Sequence, residues 1–231
     1  AEILIETARF WASRAKQEED GRYHIREVIG PDEYHETVDD NAYTNGLAQW
    51  NLEAAQETVD LVAERWPEHW QALSRRLGIE ADEPRGWQRV ARDMYTGFNE
   101  QTGLFEQFRG YFDLADIDLA AFAPRAAPMD VLLGRERIQQ SKIIKQSDVV
   151  MLIHLLWDRM PAEVRKANFE YYEPRCGHGS SLSPAIHALV AARLGDTALA
   201  ERYFRQAADI DLADNMDNST GGIHAAALGG L

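Results

Sequence analysis

The chain holds a single cysteine, Cys176, among 231 residues, so no intrachain disulfide can form. That scarcity fits a reducing compartment, and the cytoplasm is the expected location. Long apolar runs are lacking too. The two longest, 149–157 and 185–194, are interrupted by His154 and His187 and fall short of a membrane span. Basic residues are in deficit, 24 against 38 acidic ones, for a formal charge of −14. Such a surface repels polyanions overall, which excludes nucleic acid and an acidic membrane surface as partners. A small anion such as phosphate is still admitted, since it needs only a local pocket of N–H groups, Lys and His. The histidines are scattered, with neither an HExxH nor a paired CxxC spacing, so no metal site is expected. No repeat of fixed period occurs, which disfavours a solenoid.

What is present is helical periodicity. Ile3, Leu4, Thr7, Ala8, Phe10 and Trp11 recur at helix spacing, in a first helix predicted to stop near Asp20-Gly21. Residues 23–29 alternate and read as extended. Helices are predicted over 42–64, 67–77, 84–98, 129–140, 147–160, 161–172, 182–194 and 196–212. Pro67, Pro84, Pro161 and Pro184 suit first turns, Ser147 and Asp196 suit N-caps, and Gly78 and Gly195 suit C-terminal stops. The segments 100–128 and 174–181 read as long loops, ordered by their aromatics. The length admits one large domain or two small ones. Ala1 falls inside a helical pattern and Gly229-Gly230-Leu231 ends without a tail, which fits a piece of a longer protein.

Three constellations carry candidate chemistry. The first is the turn Gly30-Pro31-Asp32-Glu33, just before a helix that Asp39 or Asp40 can cap. Walls such as Tyr34, Tyr43 and Trp50 would raise the pKa of Glu33, as a general acid at neutral pH requires. A plain cluster of capping carboxylates fits the same residues. The second is Lys145-Gln146, before an apolar helix, whose several donors and one acceptor suit sugar hydroxyls; a solvated polar pair is the alternative. The third is the loop 175–184, with Gly177, His178, Gly179, Ser180 and Ser181 opening a helix. Its glycines, hydroxyls and N–H groups have the parts of an anion cradle, to which His178 adds a cation or donor; a Ser-capped helix start is the alternative. His224, after Gly221-Gly222, is expected to complete the cradle, against the ordinary reading of a buried, hydrogen-bonded histidine. His154 and His187 read as packed core histidines.

Taken together, GPDEYHE (30–36), DDNAYTN (39–45), WNLEAA (50–55), KQ (145–146), YYEP (171–174), HGSSLSP (178–184) and GGIHAAALGG (221–230) resemble the catalytic half of glycoside hydrolase family 65. That family includes maltose, trehalose and kojibiose phosphorylases. The resemblance implies an all-α fold, an (α/α)6 barrel of which residues 1–231 hold the later helices. The first barrel helices and an N-terminal β-sandwich are expected upstream. It implies Glu33 as general acid, Lys145 and Gln146 as glucosyl-binding residues, and His178, Ser180, Ser181 and His224 as the phosphate-binding region. The sugar-gripping Trp-Asp pair of the family is absent here and expected upstream of Ala1. Cys176 stands where Thr is common and Asp40 where Asn is common.

The implied reaction is inverting phosphorolysis of an α-glucoside to β-glucose 1-phosphate. Its partners are the small-molecule glucoside and inorganic phosphate as co-substrate, with no cofactor; a homodimer remains open. Two other readings stand beside it. A hydrolase of the same family would use a second carboxylate as base, with Glu173 the nearest candidate. A non-catalytic helical module would bind sugar or protein through Trp87, Tyr95, Phe105, Phe108 and Tyr111.

Overall fold

In the computed structural model, which describes residues 1–125, 127–213 and 219–230, α1 (Glu2–Arg14) leads into a hairpin of β1 (Lys16–Gln17) and β2 (Tyr23–His24). The first helix is thus shorter than its periodicity predicts. Lys16 and Gln17 pair with His24 and Tyr23, and Asp20-Gly21 is the hairpin turn, with Gly21 at φ +80°.

α2 (Ala42–Arg65) is the long central helix. Its N-cap is Asn41, whose side-chain oxygen accepts from Thr44 N at 2.9 Å, rather than Asp39 or Asp40 as expected. Asp40 is fully buried at φ +53°, and its carboxylate takes Arg26, Arg109, His24 and the Ile25 N–H. A residue so committed cannot also cap the helix.

α3 (Pro67–Leu77) begins on its proline and stops at left-handed Gly78, as predicted. α4 (Glu83–Arg92) is shorter than expected, because the chain turns at Asp93 into β3 (Phe98–Asn99), which pairs with β4 (Leu104–Phe105). The predicted helix 129–140 divides at Gly134, φ +77°, into α5 (Met129–Leu133) and α6 (Arg135–Gln139). α7 (Asp148–Leu155), α8 (Ala162–Tyr172), α9 (Ser183–Leu194) and α10 (Thr197–Leu212) follow, with α11 (Ala225–Gly229) unanticipated. Ser147 and Asp196 cap α7 and α10 as predicted. The expectation of an all-α chain holds: among the described residues the strands form only two two-stranded ladders. None of the described helices is long and apolar enough to cross a membrane.

Two apolar cores meet along α2. Ile5, Ala48, Leu52, Trp87 and Val90 join α1, α2 and α4. Ala42, Tyr111, Val149, Ile153, Tyr172 and Val190 join the start of α2 to α7, α8 and α9. Gly46 lets α2 approach α7, since a Cβ there would lie 2.9 Å from Leu152. A third cluster, Tyr34, Met129, Ile138 and Ile143, supports the turn that carries Glu33.

Asn41 also reaches from the α2 cap to Asp148, donating to Oδ2 at 2.5 Å. Asn41→Ala removes a cap and leaves a buried acceptor short of a donor, an expected cost of about 2–4 kcal/mol in denaturant unfolding of the full-length protein. A loss below about 0.5 kcal/mol, the range of an ordinary surface substitution, would remove Asn41 from both roles.

Candidate active site

The turn before α2 is held from beneath by two buried carboxyls. Gly30 is required by close approach, because a Cβ there would stand 2.1 Å from Asp148 Oδ2. Asp32 N donates to Asp148 Oδ1 at 2.6 Å. Asp32 Oδ1 accepts from Lys145 N at 2.8 Å and Tyr34 N at 3.2 Å, while Oδ2 faces His35 Nδ1 at 2.6 Å and Gln107 Nε2 at 3.1 Å. Burial, and next the Asp32 carboxylate, push the Asp148 carboxyl well above its ordinary range, favouring its neutral form.

This lattice turns Glu33 outward and brings it against Lys145, 112 residues along the chain, as an ion pair. Gln146 donates from Nε2 to the Pro31 carbonyl. Glu33, Lys145, Ile29, Tyr34, Glu36 and Asp130 line a cleft of about 480 Å³. The expected apolar walls are mostly absent. Of the three aromatics named, only Tyr34 lines the cleft; Tyr43 packs against the α7–α9 core, and Trp50 lines a separate groove with Phe98 and Arg159. The Glu33 side chain is 59% exposed.

Gly179 of the segment 176–183 packs on Tyr34 and Lys145 of that cleft, while Leu182 and Ser183 line a separate pocket with Pro31, Gln146 and His187. Gly177 N donates to Ile144 O at 2.7 Å and Gly179 N to Lys145 O at 3.1 Å. A Cβ on Gly179 would meet Tyr34 Oη at 2.7 Å and Lys145 Cγ at 3.2 Å. The glycines therefore serve close packing, and their N–H groups are spent on the chain at 144–145 rather than held for an anion. The N–H groups of Ser180 and Ser181 are left, with no partner among the described residues. Ser180 Oγ accepts from Leu182 N at 3.3 Å and keeps its own proton to donate.

His178, expected to add a cation or donor to the cradle, is instead engaged inside the protein. Its ring turns into the protein, Nδ1 at 2.9 Å from Ser183 Oγ and Nε2 at 3.1 Å from Tyr203 Oη. Burial, with His187 and Arg125 next, holds it well below the usual histidine range. His187 is likewise lowered, to about 4, by burial. Cys176 Sγ, His178 and His187 place one ligand atom each within 4.8 Å of one another, a cluster that linear spacing did not show. Burial pushes the Cys176 thiol up to about 12, which favours the thiol over the thiolate that binds metal, and the Ser183 hydroxyl lies 3.3 Å from it.

The remaining candidates stand apart. His224 is tied to Asp211, Nδ1 to Oδ1 at 2.6 Å and N to Oδ2 at 2.8 Å. No hydrogen bond or ion pair joins His224 to residues 178–181 among the described residues. Glu173 accepts from Tyr203 Oη at 2.6 Å and lines a different cavity, with Lys166 and Asp196. Trp87, Phe108 and Tyr111 are core residues; Tyr95 stacks on His24 and Phe105 packs on Phe98, so the aromatics form no shared sugar platform. Sequence reasoning passed over Asp32, Asp148 and Arg125. Asp32 sits inside a quoted motif, and only its burial separates it from its neighbour Glu33.

Comparison with known proteins gives this geometry a context. A family model described as the glycosyl hydrolase family 65 central catalytic domain matches residues 1–231. The chain is 40% identical over 232 residues to a kojibiose phosphorylase of Thermoanaerobacter brockii, covering 100% of this chain and 30% of that protein. It is 34% identical to an alpha,alpha-trehalose phosphorylase of the same organism, covering 99% and 30%. A solved structure titled a putative kojibiose phosphorylase from human microbiome superposes with a TM-score of 0.88 at 30% identity, over 99% of this chain and 31% of that one. The chain thus spans about three tenths of the length of these relatives. Its helices are part of an (α/α)6 barrel.

The neutral histidine pair makes stability fall with acid. His187 is held at about 4 when folded and titrates near 6.5 when unfolded, so its contribution is full above pH 6.5 and is lost as pH falls toward 4. The loss at pH 4.5 is about 2–3 kcal/mol. The melting temperature of full-length His187→Asn should therefore depend less on pH between 7 and 4.5 than that of the wild type; parallel curves would contradict the assignment.

Proposed function

Since the chain belongs to glycoside hydrolase family 65, we propose that it forms part of an enzyme that phosphorolyses an α-glucoside with inversion, using Glu33 as proton donor. The observation that carries this reading is that Glu33 pairs with Lys145 across 112 residues and that Gly179, next to Ser180, packs on Lys145 and Tyr34 of the same cleft. The names of the relatives, phosphorylases of kojibiose and trehalose, point the same way.

In this reading a phosphate oxygen attacks the anomeric carbon from the face opposite the glycosidic bond. That bond breaks as the Glu33 carboxyl gives its proton to the departing oxygen, and β-glucose 1-phosphate and the free acceptor result. Phosphate is itself a competent nucleophile, so no second carboxylate has to activate water. Lys145 and Gln146 bind hydroxyls of the glucosyl unit. A glucosyl hydroxyl bound to the Lys145 ammonium would stand beside Glu33, since the two side chains are paired. Ser180 and Ser181 receive the phosphate through N–H groups without other partners among the described residues and through hydroxyls that keep a proton to donate. Glu173, turned toward Tyr203 in another cavity, is a poor base for a hydrolase.

The test is an assay of the full-length protein on kojibiose, trehalose, maltose and 1,2-α-glucosylglycerol, each with and without phosphate. Phosphate-dependent release of β-glucose 1-phosphate from one of them is expected, and Glu33→Gln should lower the rate by about 10²–10⁴-fold with folding intact. Glucose release indifferent to phosphate would refute the reading, and unchanged turnover would remove Glu33 from it.

A further inference from the structure

An oxyanion is hard to seat in this cleft by N–H groups alone. Glu33, Glu36 and Asp130 line it, and the chain as a whole carries a charge of −14, so the local field opposes a dianion unless a cation stands close. The nearby cations are mostly committed. Lys145 is paired with Glu33, Arg135 with Glu36, Arg175 with Asp116 and Arg202 with Glu173. His178, buried and bound at both ring nitrogens, brings no charge.

Arg125 is not so committed among the described residues. It lies in the loop before α5, and its Nη1 donates to the Gly177 carbonyl at 2.7 Å. The same nitrogen is 3.6 Å from where a Gly177 Cβ would be. Arg125 forms no ion pair with any described residue. One guanidinium nitrogen is thus anchored on the segment that carries Ser180 and Ser181, while the remaining N–H groups of the planar fork have no partner among the described residues. A fork fixed at one corner is suited to grip two oxygens of a tetrahedral oxyanion; a lysine cannot hold the carbonyl and present such a pair together.

We propose that Arg125 is the phosphate-binding cation of this site, clamping the nucleophile against Ser180 and Ser181 and so making the cleft selective for a divalent oxyanion. The proposal rests on the phosphorolytic reading above. Its sequence signal was faint, a lone arginine in a loop 52 residues from the glycine it bonds.

The test uses the full-length protein and inorganic phosphate. KM for phosphate and KM for the glucoside are measured in wild type, Arg125→Gln and Arg125→Lys, together with phosphate binding by calorimetry and the melting temperature. In Arg125→Gln, KM for phosphate should rise about 10- to 100-fold, the range for losing a hydrogen bond to a charged group. KM for the glucoside should stay within about twofold, and Arg125→Lys should fall between the two. Unchanged KM for phosphate overturns the proposal, as does an equal rise in both KM values, which would mean a structural role. A wild type that releases glucose without using phosphate fails the phosphorolytic reading itself. A phosphate-dependent wild type with an indifferent Arg125→Gln fails only this inference.

Discussion

The Asp32 carboxylate is the contact on which the candidate site depends. It is buried, and it gathers the N–H groups of Lys145 and Tyr34, the Gln107 amide and the His35 ring. Those groups come from three separate stretches of chain, at 34–35, 107 and 145. A buried charge left without them would be costly, so the carboxylate enforces their positions as strictly as any packed side chain. Its neighbour Glu33 is pointed outward as a consequence. The two adjacent acids divide the work: one is solvent for the backbone of its own turn, the other faces the cleft in an ion pair with Lys145.

The same economy explains the glycines and histidines around it. Gly30 and Gly179 stand where any side chain would collide with Asp148 or with Tyr34, which is how the turn, the chain at 144–145 and the serine segment come to share one cleft. The hydrogen bonds of Gly177 and Gly179 to 144–145 stitch this arrangement. His178 and His187 pack against each other and Tyr203 as neutral rings, supporting the serine segment from behind. What faces the cleft is charged; what holds it in place is mostly not.

Much of the fold was legible because local chemistry decides it. Pro67 and Gly78 bound α3, Ser147 and Asp196 cap their helices, and the resemblance of the motifs to one family agrees with the whole-chain family match. The misreadings came where tertiary contacts override local preference. Asp40 has the chemistry of a cap but is drawn into the buried cluster of His24, Arg26 and Arg109, leaving Asn41 to cap α2. His178 has the look of a phosphate ligand, but its side chain leaves the loop on the inner face. Neither burial nor the direction of a ring is written in spacing.

The sequence by itself determined the helical class, most helix boundaries, the acidic surface and the residue types available for acid and anion chemistry, because these follow from periodicity, capping and composition. Only the tertiary structure decided which carboxylate is buried and which is offered, that Lys145 meets Glu33, that the serine N–H groups are left over, and that Arg125 stands at Gly177 with its charge unspent. Those are properties of contacts between segments some 50 to 115 residues apart, and the free energy that selects them lies in desolvation and hydrogen-bond completion across the fold rather than in any local run of chain.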